Sequence, residues 1–143
     1  MNYDEFWKEV ESDLRVDGEH LDTYSIDTPY KIFKYIKLQN TYKAALTKAK
    51  NEYKTQIKWK RDYYLGLQPK EVYDETPFDA NLKIRKADLN IYLDADKDIQ
   101  ELNDKITYYE TLHEACEKVI KTLRDSSWNV KHAIEDRLYK QGL

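Results

Sequence analysis

Lys43, Lys50, Lys54, Lys58 and Arg61 recur at intervals of 7, 4, 4 and 3 residues. Such intervals return a side chain to the same side of an α-helix, so a helical segment here carries the five cations as one stripe. A row of ammonium and guanidinium groups can follow the phosphates of a polynucleotide and release its counterions. Trp59 and Tyr63 stand beside the stripe, and Tyr30 and Phe33 precede it. Rings left exposed near such a row can stack on unpaired bases whatever their identity, although about half of these aromatics are expected in the core or an interface. Nothing here supplies the Asn and Arg pattern of a short helix that reads base edges in a groove, so the arrangement favours single strands over duplex.

Other chemistry is poorly served. His113 and Cys116 share a helix face at i,i+3, half of a zinc site, yet only His20 and His132 remain as further histidines. A buried thiol beside a polar seam histidine is the better reading. Asp94, Asp96 and Asp98 imitate the opening of a calcium loop, but the sixth position is Ile99 instead of Gly and the twelfth is Lys105 instead of Glu. With 3 glycines in the chain, a phosphate-cradling loop is absent, as are a serine nucleophile elbow and paired histidines. The expectation is a non-enzymatic protein with no catalytic residue, metal or cofactor.

The charge distribution supports a polyanion-binding segment. The net charge of −3 conceals residues 29–64, where ten basic side chains meet only Glu52 and Asp62, a net of +8. Residues 1–28 carry −7 and residues 65–143 carry −4. Surface helices usually mix signs so that i,i+4 pairs offset repulsion. Unpaired like charge over more than 30 residues costs stability unless a partner neutralises it. That partner can be a nucleic acid or, in the alternative reading, an acidic protein bound by a coiled-coil scaffold.

Helices must position these groups. At 143 residues the chain is one domain. Leu, Ile, Val and Phe together make 32 residues, so its own core is thin and partner copies are expected to complete it. Few glycines and prolines argue against sandwiches and barrels. No apolar run is long enough for a membrane span, the acidic start Met1-Asn2-Tyr3-Asp4-Glu5 lacks the flank of a secretory signal, and a lone cysteine fits a reducing cytosol.

An acidic amphipathic helix is expected over residues 3–15, using Phe6, Trp7, Val10 and Leu14. A long helix then starts at Asp27-Thr28-Pro29 and runs to Gly66, with a seam of Tyr35, Leu38, Tyr42, Ala45, Ala49, Tyr53, Ile57 and Tyr64. Residues 66–93 read as a linker holding a small basic cluster, Lys83, Arg85 and Lys86. Asp94-Ala95-Asp96 opens a heptad helix through Ile99, Leu102, Ile106, Tyr109, His113, Cys116, Ile120 and Leu123. Ser126 or Ser127 caps a last helix whose Trp128, Val130, Ile134 and Leu138 are left over for neighbouring copies. The fold class expected is all-α, built on long antiparallel coiled-coil-like helices with a C-terminal oligomerisation helix.

The stretch Lys58-Trp59-Lys60-Arg61-Asp62-Tyr63-Tyr64-Leu65-Gly66 resembles the signature of the UvsY family, the recombination mediators of T-even-like bacteriophages. The likeness extends to Leu93-Asp94-Ala95-Asp96-Lys97-Asp98 and to Lys131-His132-Ala133-Ile134-Glu135-Asp136-Arg137. It implies a ring-like homo-oligomer of about six or seven copies that binds single-stranded DNA in the cytoplasm of an infected bacterial host. It also implies contacts with the phage single-strand-binding protein and with the phage RecA-like recombinase, which such a mediator loads. No membrane is involved. The family's DNA-contacting motif carries over to Lys58 and Lys60. There the family pattern has Arg followed by an apolar residue, whereas this chain has Lys60 then Arg61, so either could make the second phosphate contact. The family's assembly helix carries over to the region from Trp128 to Leu138.

Overall fold

Asn2 starts the first helix. Its side chain accepts from the Glu5 backbone N–H at 2.8 Å, and the Glu5 carboxylate accepts from the Asn2 N–H at 3.2 Å, a reciprocal cap. In this computed structural model, which describes residues 2–77 and 84–142, the elements are α1 (Tyr3–Leu14), α2 (Leu21–Tyr64), α3 (Lys70–Glu75), a 3₁₀ turn (Lys86–Asp88), α4 (Leu89–Ala95) and α5 (Lys97–Lys140). Among the described residues there is no strand, and no helix is long and apolar enough to cross a membrane. The expected all-α class is what is found.

The chain divides into two compact units. The first comprises Met1–Tyr42 with Thr111–Leu143, the second Lys43–Glu110. In the first, Phe6 and Val10 of α1, Tyr35 and Tyr42 of α2 and Leu112, Cys116, Val119 and Leu123 of α5 are buried. The rings of Tyr35 and Tyr42 meet Phe6 edge to face at 6.4 and 6.5 Å. In the second, Ala49 of α2, Leu89 and Leu93 of α4 and Ile99 of α5 are buried.

Several element boundaries differ from the sequence expectation, the start of α2 first. Helix α2 begins at Leu21, not at Asp27-Thr28-Pro29, and carries Pro29 in its interior. An interior proline costs about 3 kcal/mol because it cannot donate to the carbonyl four residues back. Leu21 and Tyr24, buried against Val130, offset that loss at about 1.5–3 kcal/mol for each large apolar side chain. The Tyr24 hydroxyl also meets Ser126 Oγ at 2.7 Å, and Thr28 Oγ1 donates to the Tyr24 carbonyl at 2.7 Å. Tyr24→Phe should therefore lower unfolding stability by about 1 kcal/mol in urea titrations. Adding Ser126→Ala should cost little more, because both changes remove one bond.

Ser126 and Ser127 do not cap a new helix either. α5 runs through them without a break, since serine inside a helix costs only about 0.5 kcal/mol and burial of Val130 exceeds that. Residues 66–93 are less of a linker than expected, as α3, the 3₁₀ turn and most of α4 fall within them. Of the basic cluster expected there, Arg85 and Lys86 are exposed and Lys83 lies outside the described residues.

The second unit is closed by two capping devices. Gly66, at φ +76°, ends α2 with Leu67 N–H bonded to the Asp62 carbonyl at 2.8 Å and Gly66 N–H to the Tyr63 carbonyl at 3.2 Å. Asp96 stands between α4 and α5, and its Oδ1 accepts from the Asp98 and Ile99 N–H groups at 2.9 and 3.1 Å. Asp96 thus caps α5 after α4 has ended at Ala95, where the sequence suggested that residues 94–96 open a single helix. Pairs from α2 to α5 within this unit run Glu52 to Lys105 and Lys60 to Asp98, so the two segments are antiparallel.

Candidate nucleic-acid interface

Lys43, Lys50, Lys54, Lys58 and Arg61 all stand exposed on the stretch of α2 that belongs to the second unit. Their 7, 4, 4, 3 spacing keeps them within about 80° of one another around the helix at 100° per residue. None of the five makes an ion pair among the described residues, and Lys48, also exposed, makes none. Lys54, Lys58 and Arg61 border a hollow of about 260 Å³ together with Ile57, Asp62 and Leu65.

Lys60 is different. Only 14% of its side chain is exposed, and its Nζ lies 3.1 Å from Asp96 Oδ2 and 2.7 Å from Asp98 Oδ2. Burial opposes its charge, but the hydrogen bonds to Asp98 and Asp96 outweigh this and leave its pKa above the usual lysine value. The Tyr64 hydroxyl donates to the same Asp96 Oδ2. Burial, then Asp96, raises the Tyr64 pKa. For Asp96, burial raises the pKa, but the bonds from Tyr64, the Ile99 N–H and Lys60 prevail and bring it below the ordinary carboxylate value. Lys60 is a strut between helices, and Arg61 is the cation of that pair that faces outward without a partner among the described residues.

Lys34, within the first unit, is engaged in the same manner. Its Nζ reaches Glu9 and lies 2.6 Å from Asp13 Oδ2, while the Tyr35 hydroxyl donates to that oxygen at 2.7 Å. Lys31 Nζ donates to the Asp13 carbonyl at 3.0 Å. The +8 segment is therefore heterogeneous: α1 and the start of α5 neutralise some lysines, and the row from Lys43 to Arg61 is left out.

Trp59 and Tyr63 form a ladder with a third ring that no local sequence pattern joins to them. The Trp59 and Tyr63 rings stack at 5.6 Å with 10° between planes, and Tyr63 stacks on Tyr73 of α3 at 5.3 Å with 17°. The Tyr73 hydroxyl donates to the Tyr63 carbonyl at 2.7 Å, and the Tyr63 hydroxyl donates to the Thr76 carbonyl at 3.0 Å. Tyr63 is half-buried and serves as backing, whereas Trp59, 38% exposed, is the ring offered outward. The dipeptide Pro69-Lys70 marks a helix start after Gly66, the signal by which α3 and its Tyr73 could have been found. Tyr30 and Phe33 are exposed too, within the first unit.

The residues expected to drive assembly divide. Val130, only 4% exposed, is committed to its own core with Leu21 and Tyr24, and Ile134 packs against that cluster. This corrects the expectation that Val130 is left over for a neighbour: α2 begins early enough to cover it. Trp128, 61% exposed, and Leu138 remain outward, joined by Tyr139. Cys116 is fully buried, with His113 half-buried one turn earlier on α5. Among the described residues the cluster whose ligand atoms converge is Asp17, Glu19 and His20, all exposed in the turn before α2.

Comparison with known proteins follows the same outline. The profile of the family described as "Recombination, repair and ssDNA binding protein UvsY" matches residues 9–143. The recombination protein uvsY of Enterobacteria phage T4 is 20% identical over 142 residues, covering 99% of each chain. Crystal structures of the bacteriophage T4 recombination mediator protein UvsY superpose closely. Lattice type II gives a TM-score of 0.84 at 19% identity over 99% of this chain and 98% of that one. Lattice type I gives 0.81 at 19% identity over 95% and 98%.

Proposed function

The chain belongs to the UvsY family of recombination, repair and single-stranded-DNA-binding proteins, and we propose that it is a non-enzymatic mediator that holds single-stranded DNA along the row Lys43, Lys50, Lys54, Lys58 and Arg61. The observation that carries this reading is the selective pairing of the basic segment. Lys34 and Lys60 are engaged by carboxylates, while five spaced cations of the row have no ion-pair partner among the described residues. Arg61 supplies the second phosphate contact in place of Lys60.

In this reading several copies form a ring, using the outward Trp128 and Leu138. One strand is held at many weak sites at once, and linkage raises avidity by about 10²–10⁴ without new contacts. The strand is drawn from the phage single-strand-binding protein and offered to a RecA-like recombinase, in the cytoplasm of the infected host. Diffuse lysine contacts suit this handover, because they are salt-sensitive and carry no sequence information.

The test is a titration of fluorescent oligonucleotides, single-stranded and duplex, over a salt series. Tighter binding to the single strand is expected, with log K falling linearly with log salt at about 0.7 per phosphate contact. A duplex preference would mark a duplex-binding regulator. Indifference to both, with capture by polyglutamate, would mark a scaffold for an acidic protein.

A further inference from the structure

Beside the cation row lies an open groove of about 900 Å³ between α2 and α5 of the second unit. Its α2 wall includes Lys48, Asn51, Thr55 and Gln56, and its α5 wall includes Asp98, Glu101 and Lys105. A smaller hollow of about 510 Å³ in front of Trp59 shares Gln56 and Asp98 with it. At 100° per residue, Asn51 and Thr55 follow Lys54 and Lys58 around α2, and Lys48 and then Trp59 follow them. The circumference thus passes from the cation row to neutral hydrogen-bonding groups and, past one further cation, to an aromatic ring. Neutral groups and a ring beside a cation row suit the bases and the phosphates of one strand.

We propose that this groove is a compartment for unpaired nucleobases, an inference that rests on the single-strand reading above. The α5 wall decides which part of a strand can enter. Lys105 on that wall is paired with Glu52 of α2 at 3.5 Å. Glu101 is exposed, and Asp98 stays substantially exposed although it meets Lys60, so a phosphate entering there faces carboxylates. A neutral base does not, and its amino groups can donate to those oxygens. The amides of Asn51 and Gln56 each offer a donor and an acceptor and make no side-chain hydrogen bond among the described residues. They can satisfy the pairing edge of any base. In a duplex that edge is occupied and stacked, so the groove rejects paired DNA by the same contacts that accept single strands. The backbone then runs along Lys50, Lys54, Lys58 and Arg61, with bases turned inward and one of them closing on Trp59.

Binding of the full chain to a thymidine oligonucleotide and to an abasic deoxyribose-phosphate strand of equal length separates the two contributions. The base-bearing strand should bind at least about tenfold tighter, the worth of one stacked base. Asn51→Ala with Gln56→Ala, both at exposed positions, should narrow that ratio and leave the salt slope unchanged. Trp59→Ala should narrow it further. Equal affinity of the wild-type chain for both strands would overturn the compartment and leave phosphate binding standing. A double variant that weakens both strands alike would overturn it as well. Binding to neither strand would remove the single-strand reading itself, and the compartment with it.

Discussion

Replacing Lys43, Lys50, Lys54, Lys58 and Arg61 together by alanine should reduce affinity for a single-stranded oligonucleotide by about three orders of magnitude at 0.1 M salt. Each phosphate contact on a single strand adds about 0.7 to the slope of log K against log salt. Five contacts therefore account for a slope of about 3.5 and for about that many decades between 1 M and 0.1 M. The five side chains are exposed and have no ion-pair partner among the described residues, so helicity and urea stability should stay near wild type. Lys60→Ala gives the opposite profile. It leaves Asp96 short of a partner and should weaken folding more than the salt slope. If the quintuple variant kept its slope, the row would not be where phosphates sit.

Asp96→Ala should be the most damaging single change to stability, at about 3 kcal/mol in urea titrations. The carboxylate is 7% exposed and has four partners: the Asp98 and Ile99 N–H groups, the Tyr64 hydroxyl and Lys60. Its removal uncaps α5, takes a hydrogen-bond partner from the half-buried Tyr64 phenol and leaves Lys60 with Asp98 alone. Asp94→Ala, at an exposed neighbour, should change stability by no more than about 0.5 kcal/mol. Folded Asp96 titrates below its ordinary 3.8. Its stabilisation is therefore complete above that value and drains away as pH falls through the folded pKa. Between neutral and acidic pH the wild type should lose more stability than Asp96→Asn, and the difference should develop below about pH 4.

Much of this was legible in the chain. The cation row was visible because its spacing obeys the helical repeat and nothing between Lys43 and Arg61 interrupts it. The seam positions Tyr35, Tyr42 and Ala49 were visible for the same reason, and all three are buried. What was hidden depended on contacts distant in sequence. Lys60 differs from Lys58 only by facing Asp96 and Asp98, and no local pattern reports that. The early start of α2 was masked by Pro29, a strong local stop signal that burial of Leu21 and Tyr24 against Val130 overrides. Val130 reads locally as a leftover apolar residue because its partners lie more than a hundred positions earlier. Tyr63 reads locally as an outward ring because Tyr73, its stacking neighbour, sits beyond a glycine and a proline that mark a loop.

The lone sulfhydryl has a practical bearing. Cys116 is sealed inside the first unit, and burial pushes its pKa up to about 11, so almost none of it is thiolate at neutral pH. The native chain is thereby nearly silent toward maleimides and mild oxidants, and disulfide-linked dimers cannot form without prior opening. A cysteine introduced beside the cation row would be the only reactive handle on the surface. The molecule thus comes ready for attaching a dye or a crosslinker at one chosen spot.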